Sequence, residues 1–470
     1  MISDCGEPKH FKKMTRRAGH LYRVARLVSL LKCLIVSVVL GVPLVGATQQ
    51  FSALWGHRGE LWDPSVLRDW SQAGYRYGLS IPHMEKAGRQ NIKVDYGAQG
   101  DGKTDDTEAF AQALADGGTI YIPGGVYIIR RPIFFSRNHT VLTGAGPDAT
   151  VLSIPISLTD VAPRSDPYQA SRSLYYSREG FVDTNDRPLK NLGIQDLSIR
   201  FPDTPQAKHQ NEQGYNGIEW SQVSHGWIKN VEITNADNGV LLRDSQNLTV
   251  DSMVLNGRGG HYGVRLMNTH ESLVTDFMIV ADSYHDLSVT QGSSGNVFSN
   301  GWGTEIAFDH HSHASDPAPR DNLFSNIVSK FDRNPWYSGG SIDDIASEYG
   351  VDETFWNVRH GQDEPFRNVP GFNDASNGPL SPGLIYVGAA DEWTTQSPAA
   401  HVEAIDPAQL CPQDLHRAQR GIGMCAVRTA QIPSLLNLPM LGIGSVMRPR
   451  FAVVIAVRQL FTSHLVIGRS

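Results

Sequence analysis

Between residues 224 and 327 the chain repeats itself, and the marked residues of successive units fall 21, 25, 24 and 26 positions apart. Each unit holds a short apolar strand with an Asn or Asp in it: 227–234 with Asn230, 248–255 with Asp251, 273–280 with Asp276, 297–301 with Asn300 and 323–328 with Asn326. Most units carry a second strand, at 239–243, 263–267, 286–290 and 305–309, and 217–220 is an earlier partner. No helical period separates them. A strand unit this short cannot bury its apolar face alone, and stacking like units buries it. The repeat predicts an all-β chain wound as a right-handed parallel β-helix, with apolar columns packed inward.

Alternation along the second strands assigns their faces. Ile218, Val240, Val264, Leu287 and Ile306 point in, with Trp220, Leu242, Leu266, Val289 and Phe308. The outward columns are then Glu219, Leu241, Arg265, Ser288, Ala307 and Ser221, Arg243, Met267, Thr290, Asp309.

The first 26 residues are basic, 27–47 are mostly apolar, and the segment ends in the small residues Gly46 and Ala47. That order is a secretory signal with cleavage near Ala47, or an uncleaved anchor, with Met14 as an alternative start. Export makes the protein secreted or periplasmic, with cell-surface anchoring if the segment stays. Residues 1–47 carry a net +6 and the chain −7, so the exported body carries −13. An acidic body argues against nucleic acid as partner. Of four cysteines only Cys411 and Cys425 lie outside the leader, enough for one disulfide and without the CxxC spacing of a structural zinc site. The expected organisation is a signal or anchor at 1–47, an extended arm at 48–91, the coil at 92–403 and a tail at 404–470.

Residues 92–155 hold the most specific local wording: "YGAQGDGKTDDTEAFAQAL", "GGTIYIPGGVYII" and "VLTGAGPDATVL". Asp105 is placed to cap a helix over 107–115, and Ala109, Phe110, Ala113 and Leu114 give that helix an apolar face to cover the open end of the coil. Asp101, Asp105 and Asp106 read as a turn and a cap rather than a catalytic cluster. "GAGPDAT" lacks the Lys-Ser/Thr of a phosphate loop. This stretch resembles the N-terminal signature of the pectate-lyase-like superfamily of parallel β-helix proteins. The resemblance implies the fold and a class of function, since the superfamily includes polysaccharide lyases, glycoside hydrolases, epimerases and phage tailspikes.

A β-helix interior is packed, so chemistry belongs on an outer sheet face and its turns. Arg243 and Arg265 lie outward, and the turns before the strands bring His261, Tyr262, Tyr284 and His285 to one edge. That set suits β-elimination on a uronic-acid polymer. Arg243 and Arg265 neutralise the carboxylate, His261 or His285 removes the adjacent proton, and Tyr262 or Tyr284 protonates the leaving oxygen. Glu219, Asp309, His310 and Trp336 are candidate substrate contacts. Calcium on Asp/Glu oxygens is the cofactor such a reaction admits, without an identifiable ligand set. In "DHHSH" at 309–313, alternation puts Asp309 and His311 on one face and His310 on the other, against a transition-metal site.

The rival enzyme is a glycoside hydrolase using two of Asp282, Asp286, Glu305 and Asp309. The Asn-Thr-Asp, Asp-Asp and Gly-His-Gly motifs of the polygalacturonase type are not seen in the repeat at 224–327. The non-enzymatic rival is a surface glycan-binding β-helix. The polar stretch 156–190 and the insertion at 200–216 are candidate cleft walls. Trp336 and Trp356 read equally as sugar-stacking or core residues. Residues 415–470 hold seven Arg and no Asp, Glu or Lys, and three Arg inside 440–465 disfavour a membrane span.

Overall fold

The computed structural model describes residues 49–84, 89–161, 180–207, 212–312, 316–329, 348–361, 364–365, 382–389, 401–423 and 425. They form a right-handed parallel β-helix. One of its sheets has seven strands, and successive strands belong to successive rungs. These are β1 (Ile133–Phe134), β2 (Val182–Asp183), β3 (Asn216–Ser221), β4 (Asn238–Arg243), β5 (Tyr262–Met267), β6 (His285–Thr290) and β7 (Phe308–Asp309). All pair in parallel.

The inward columns fall where alternation puts them for four rungs. Ile218, Val240, Val264 and Leu287 share one column, and Trp220, Leu242, Leu266 and Val289 the next. The last rung corrects the sequence register by two residues: Phe308, not Ile306, pairs with Leu287, and Asp309, not Ala307, pairs with Ser288. The cause is the buried Asp286. Its carboxylate accepts from Ala307 N at 2.9 Å and from Ser283 N at 3.3 Å, which holds 306–307 in the turn and delays the strand.

On the far side of the coil each rung bends at a left-handed residue. Asp196, Asn230, Ser252, Asp276, Asn300, Asn326 and Asn357 have φ between 50° and 60°, a conformation short polar side chains tolerate best. Neighbouring amides and carboxylates link: Asn230 donates to Asp196 at 2.6 Å, Asn300 to Asp276 at 2.8 Å and Asn357 to Asn326 at 3.2 Å. In the second unit the corner is Ser252. Asp251 stands one place earlier, paired with Lys229 and Thr275.

Stacked rings fill the interior, with Phe298 on Phe324 at 5.2 Å and Phe324 on Phe355 at 4.9 Å. Helix α1 (Thr107–Asp116) buries Ala109, Phe110, Ala113 and Leu114 in the same core. Asp106, not Asp105, is its N-cap residue. Its carboxylate accepts from Gln99 N and Gly100 N, while Asp105 accepts from Thr107 N at 3.0 Å.

The arm and residues 401–425 cover one outer face together. Trp55, Leu67, Trp70 and Ala73 pack with Leu410, Leu415 and Ala418 over Leu273, Val297, Leu323, Trp356 and Val387. Trp356 is thus a core residue, donating from Nε1 to Pro412 O at 2.7 Å. Gln50–Phe51 pairs with Leu410–Cys411, and Cys411 is disulfide-bonded to Cys425. Arg417, on helix α2 (Leu415–Gln419), grips both carboxylate oxygens of Asp276 at 3.0 and 3.1 Å. No helix among the described residues is long and apolar enough to cross a membrane.

Candidate active site

With the inward columns fixed, the residues between them face away from the core. One outward column reads Asp183, Glu219, Leu241, Arg265, Ser288, Asp309, one residue per rung. Beside it run Ser221, Arg243, Met267 and Thr290. All except Arg243 are buried. Several of their polar atoms have no hydrogen-bond partner among the described residues: Arg265 Nε and Nη1, Arg243 Nε, Ser221 Oγ and Thr290 Oγ1. Buried polar groups are normally paired, and a buried cation most of all. Their concentration on one outer face marks where a ligand would complete the structure.

Arg265 is the centre of this face. It is 5 % exposed, and its guanidinium carbon sits 4.2 Å from the centroid of the Tyr262 ring. Tyr262 stacks on His261 at 4.1 Å and on His285 at 5.3 Å. Burial pushes the Tyr262 phenol up to about 12, so it remains a proton donor at physiological pH. His261 Nδ1 lies 3.3 Å from Glu212, a buried residue of the 200–216 insertion.

Two rungs beyond Arg265 lies Asp309. Its carboxylate accepts from Ser288 Oγ at 2.7 Å, contacts His311 Nδ1 and lies 3.8 Å from His285 Nδ1. Burial alone would raise its pKa. The two imidazoles and the hydroxyl outweigh that and hold it well below the usual carboxylate range. Asp309 therefore stays ionised between two histidines.

Two rungs in the other direction lies an acid pair. Glu219 and Asp183 are register partners, and a hydrogen bond joins their carboxyl groups. Burial first, and the neighbouring Asp183 second, raise Glu219 well above the usual range; burial also raises Asp183. Burial and the closeness of the two carboxyls thus both favour a proton shared within the pair. Arg243 is bound into this pole, 3.5 Å from Glu219, 3.0 Å from Asp244 and in contact with Asp186.

The structure thus gathers His261, Tyr262, His285, Arg265 and Asp309. Tyr284 stands at the rim, 36 % exposed, its hydroxyl 3.4 Å from Ala207 O. Arg243 and Glu219 belong to the acidic pole instead. His310 is corrected from a substrate contact to a core residue, buried against Phe355 at 5.8 Å, and His311 takes the outer place. Trp336 lies outside the described residues, as do Arg164, Tyr168, Arg172, Tyr175, Tyr176 and Arg178 of the expected cleft wall. Sequence reasoning missed Asp183 and Glu212. Asp183 carried a signal, because Gly180-Phe-Val-Asp183 parallels Asn216-Gly-Ile-Glu219. Among the described residues no group of three or more His, Cys, Asp or Glu is arranged to hold a metal ion.

Comparison with known proteins adds to this. Residues 90–312 match the family described as rhamnogalacturonase A/epimerase, pectate lyase-like. Alginate lyase 7 of Azotobacter vinelandii is 37% identical over 228 residues, 44% of this chain and 23% of that protein. The pre-neck appendage protein of Bacillus phage phi29 is 38% identical over 219 residues, 39% of this chain and 25% of that protein. The A-module of the Azotobacter vinelandii mannuronan C-5 epimerase AlgE6 is similar in structure at 14% identity and a TM-score of 0.41, covering 68% of this chain and 98% of that one. The chain spans about a quarter of the length of these two curated relatives.

Proposed function

The chain belongs to the pectate-lyase-like superfamily of parallel β-helix proteins, and on that premise we propose that it is a carbohydrate-active enzyme cleaving a uronic-acid-containing polysaccharide by β-elimination. One observation carries the reading: the buried Arg265 guanidinium, with Nε and Nη1 unpartnered, is a cation built to receive an anion. A uronate carboxylate placed there makes the adjoining C5–H more acidic by stabilising the charge that develops on deprotonation. His285, beside the ionised Asp309, takes the C5 proton. The C5–H electrons form the C4=C5 double bond, the C4–O bond breaks, and Tyr262 gives its proton to the departing oxygen. Arg265 through Asp309 occupy three consecutive rungs, about 10 Å at the usual strand spacing, which one sugar and its neighbours span.

The acid pair favours a second reading, glycoside hydrolysis with Glu219 as general acid. Hydrolysis needs a partner carboxylate roughly 5–10 Å away. Asp183 is hydrogen-bonded to Glu219, and Asp309 is four rungs off, about 19 Å along the column. Asp286 is engaged in its turn. Elimination therefore ranks first.

Secretion belongs to the same proposal. The leader at residues 1–47 lies outside the described residues, and the Cys411–Cys425 disulfide supports an oxidising compartment. The test is ultraviolet absorbance of an unsaturated uronate when the purified protein meets acidic polysaccharides. Absorbance that vanishes in Arg265→Ala supports elimination. New reducing ends without absorbance move the case to hydrolysis and Glu219. Glycan binding with neither product supports the non-catalytic alternative.

A further inference from the structure

The edge of the coil where the arm ends presents a group of residues that this chemistry does not use. A second row of left-handed corners runs through His139, Asn191, His225, Asn247 and Glu271. The row is knitted by backbone bonds: His139 N donates to Lys190 O, Asn191 N to Ser224 O and His225 N to Gln246 O. The arm crosses it. Arg68 pairs with Glu271 and Asp321 at one end, and Arg76 Nε donates to Asn191 Oδ1 at 3.1 Å at the other.

At that second end the arm's backbone is left-handed twice in succession, at Arg76 with φ 44° and at Tyr77 with φ 60°. L side chains avoid this region, and a bulky aromatic avoids it strongly. The surroundings impose it. Gly74 N donates to Glu271 O at 2.7 Å, Tyr75 N donates to Thr249 Oγ1 at 2.8 Å, Tyr75 packs edge-on against Trp227 at 5.1 Å, and Arg420 holds Gly78 O. Strain maintained by several neighbours points to what it displays.

It displays Tyr77, 61 % exposed, with its ring 5.4 Å from that of His225. Arg76 and Lys190 are exposed beside it, and neither forms an ion pair among the described residues. Burial, then these two cations, pull the His225 pKa below its ordinary value, and no carboxylate opposes them. Among the described residues no carboxylate acts on this cationic aromatic platform, while residues 48–470 carry a net −13. The two-residue strand Val223–Ser224 separates His225 from Gln222, the residue after Ser221 on the outward columns.

We propose that Arg76, Tyr77, Lys190 and His225 form a second binding site, outside the Arg265 face, for an anionic sugar chain: a pyranose ring lies on Tyr77 and its carboxylate between Arg76 and Lys190. Charge complementarity carries the choice of ligand, and the aromatic ring supplies the apolar surface a pyranose face covers. Only the naming of uronates as the anion rests on the proposed function.

Affinity electrophoresis through gels containing polygalacturonate, alginate or hyaluronan tests it, run in an Arg265→Ala background so that no turnover consumes the polymer. The expected result is retention in that background that falls about tenfold with Lys190→Glu and with Tyr77→Ala and weakens as salt is added. Lys190→Gln and the melting temperature of each variant separate lost binding from lost folding. Turnover of a soluble trisaccharide by Tyr77→Ala is expected to be unchanged. Retention indifferent to both positions, or absent from every gel, overturns the proposal. If the wild type yields no unsaturated product yet its retention depends on Tyr77 and Lys190, elimination fails and this site stands.

Discussion

Glu219 and Asp183 face each other across adjacent rungs as one hydrogen-bonded carboxyl pair in a buried setting. A carboxyl whose folded pKa lies above its unfolded value of 4.5 stabilises the fold fully below that pH, and the contribution is lost as pH rises through the folded value. The melting temperature of the wild type is therefore expected to fall between mildly acid and alkaline pH. Glu219→Gln keeps a hydrogen-bond donor and removes the ionisation, so its melting temperature should be higher than wild type at alkaline pH and should vary less. Identical pH dependence in the two proteins would show that the pair does not hold the proton.

Arg265 sets catalysis against stability. Arg265→Met should lower kcat/KM for the polymer by about 100-fold or more, the usual effect of losing a charge that stabilises the transition state. The same change removes a buried cation whose Nε and Nη1 have no hydrogen-bond partner among the described residues, so the fold should gain roughly 1–3 kcal/mol in denaturant unfolding. A variant that is both inactive and less stable would mean that Arg265 is a structural cation.

Asp309 acts through the histidines it touches. Asp309→Asn should reduce kcat about 10- to 100-fold with little change in KM, because His285 loses its carboxylate while the sugar keeps Arg265. Its lowered pKa also predicts a stability contribution present above its unfolded value of 3.8 and lost as pH falls below it. Acid unfolding of Asp309→Asn should accordingly be shallower than that of the wild type. Ser288→Ala, which removes one donor from Asp309, should fall between the two in rate.

The columns of the coil were legible because they depend on residues two apart within one strand. Ile218, Val240, Val264 and Leu287 announce an inward face, and the outward places of Glu219, Arg265 and Ser288 follow. The corners were legible as Asn and Asp, until Ser252 filled one. What alternation cannot supply is the phase of a rung that begins after an irregular turn. Asp286 bonding Ala307 shifted the last strand by two residues and brought Asp309 beside Ser288. Contacts between distant segments, such as Glu212 with His261 or Arg417 with Asp276, leave no local trace.

The covering segment gives a further test. The Cys411–Cys425 bond closes a loop with a sequence separation of 14, for which chain entropy predicts about 3 kcal/mol of stabilisation. Cys425→Ser should lower the melting temperature, and amide exchange should quicken first at Leu273, Val297 and Leu323, which this segment covers. Uniform exchange across all rungs would mean that the cover and the coil unfold as one unit.

The pairing of Gln50–Phe51 with Leu410–Cys411 has a consequence for biosynthesis. Trp70 N bonds Gln419 and Ala53 N bonds Glu403, so the earliest part of the described chain is completed by nearly the last. A polypeptide made from its amino end can wind its rungs as they emerge, yet the arm has no place to settle until about 350 further residues have followed. The apolar face carrying Leu273, Val297 and Leu323 stays open over that interval. Burial of that face thus waits for Leu410, Leu415 and Ala418, and a product truncated before them would be marked out by the surface it leaves exposed.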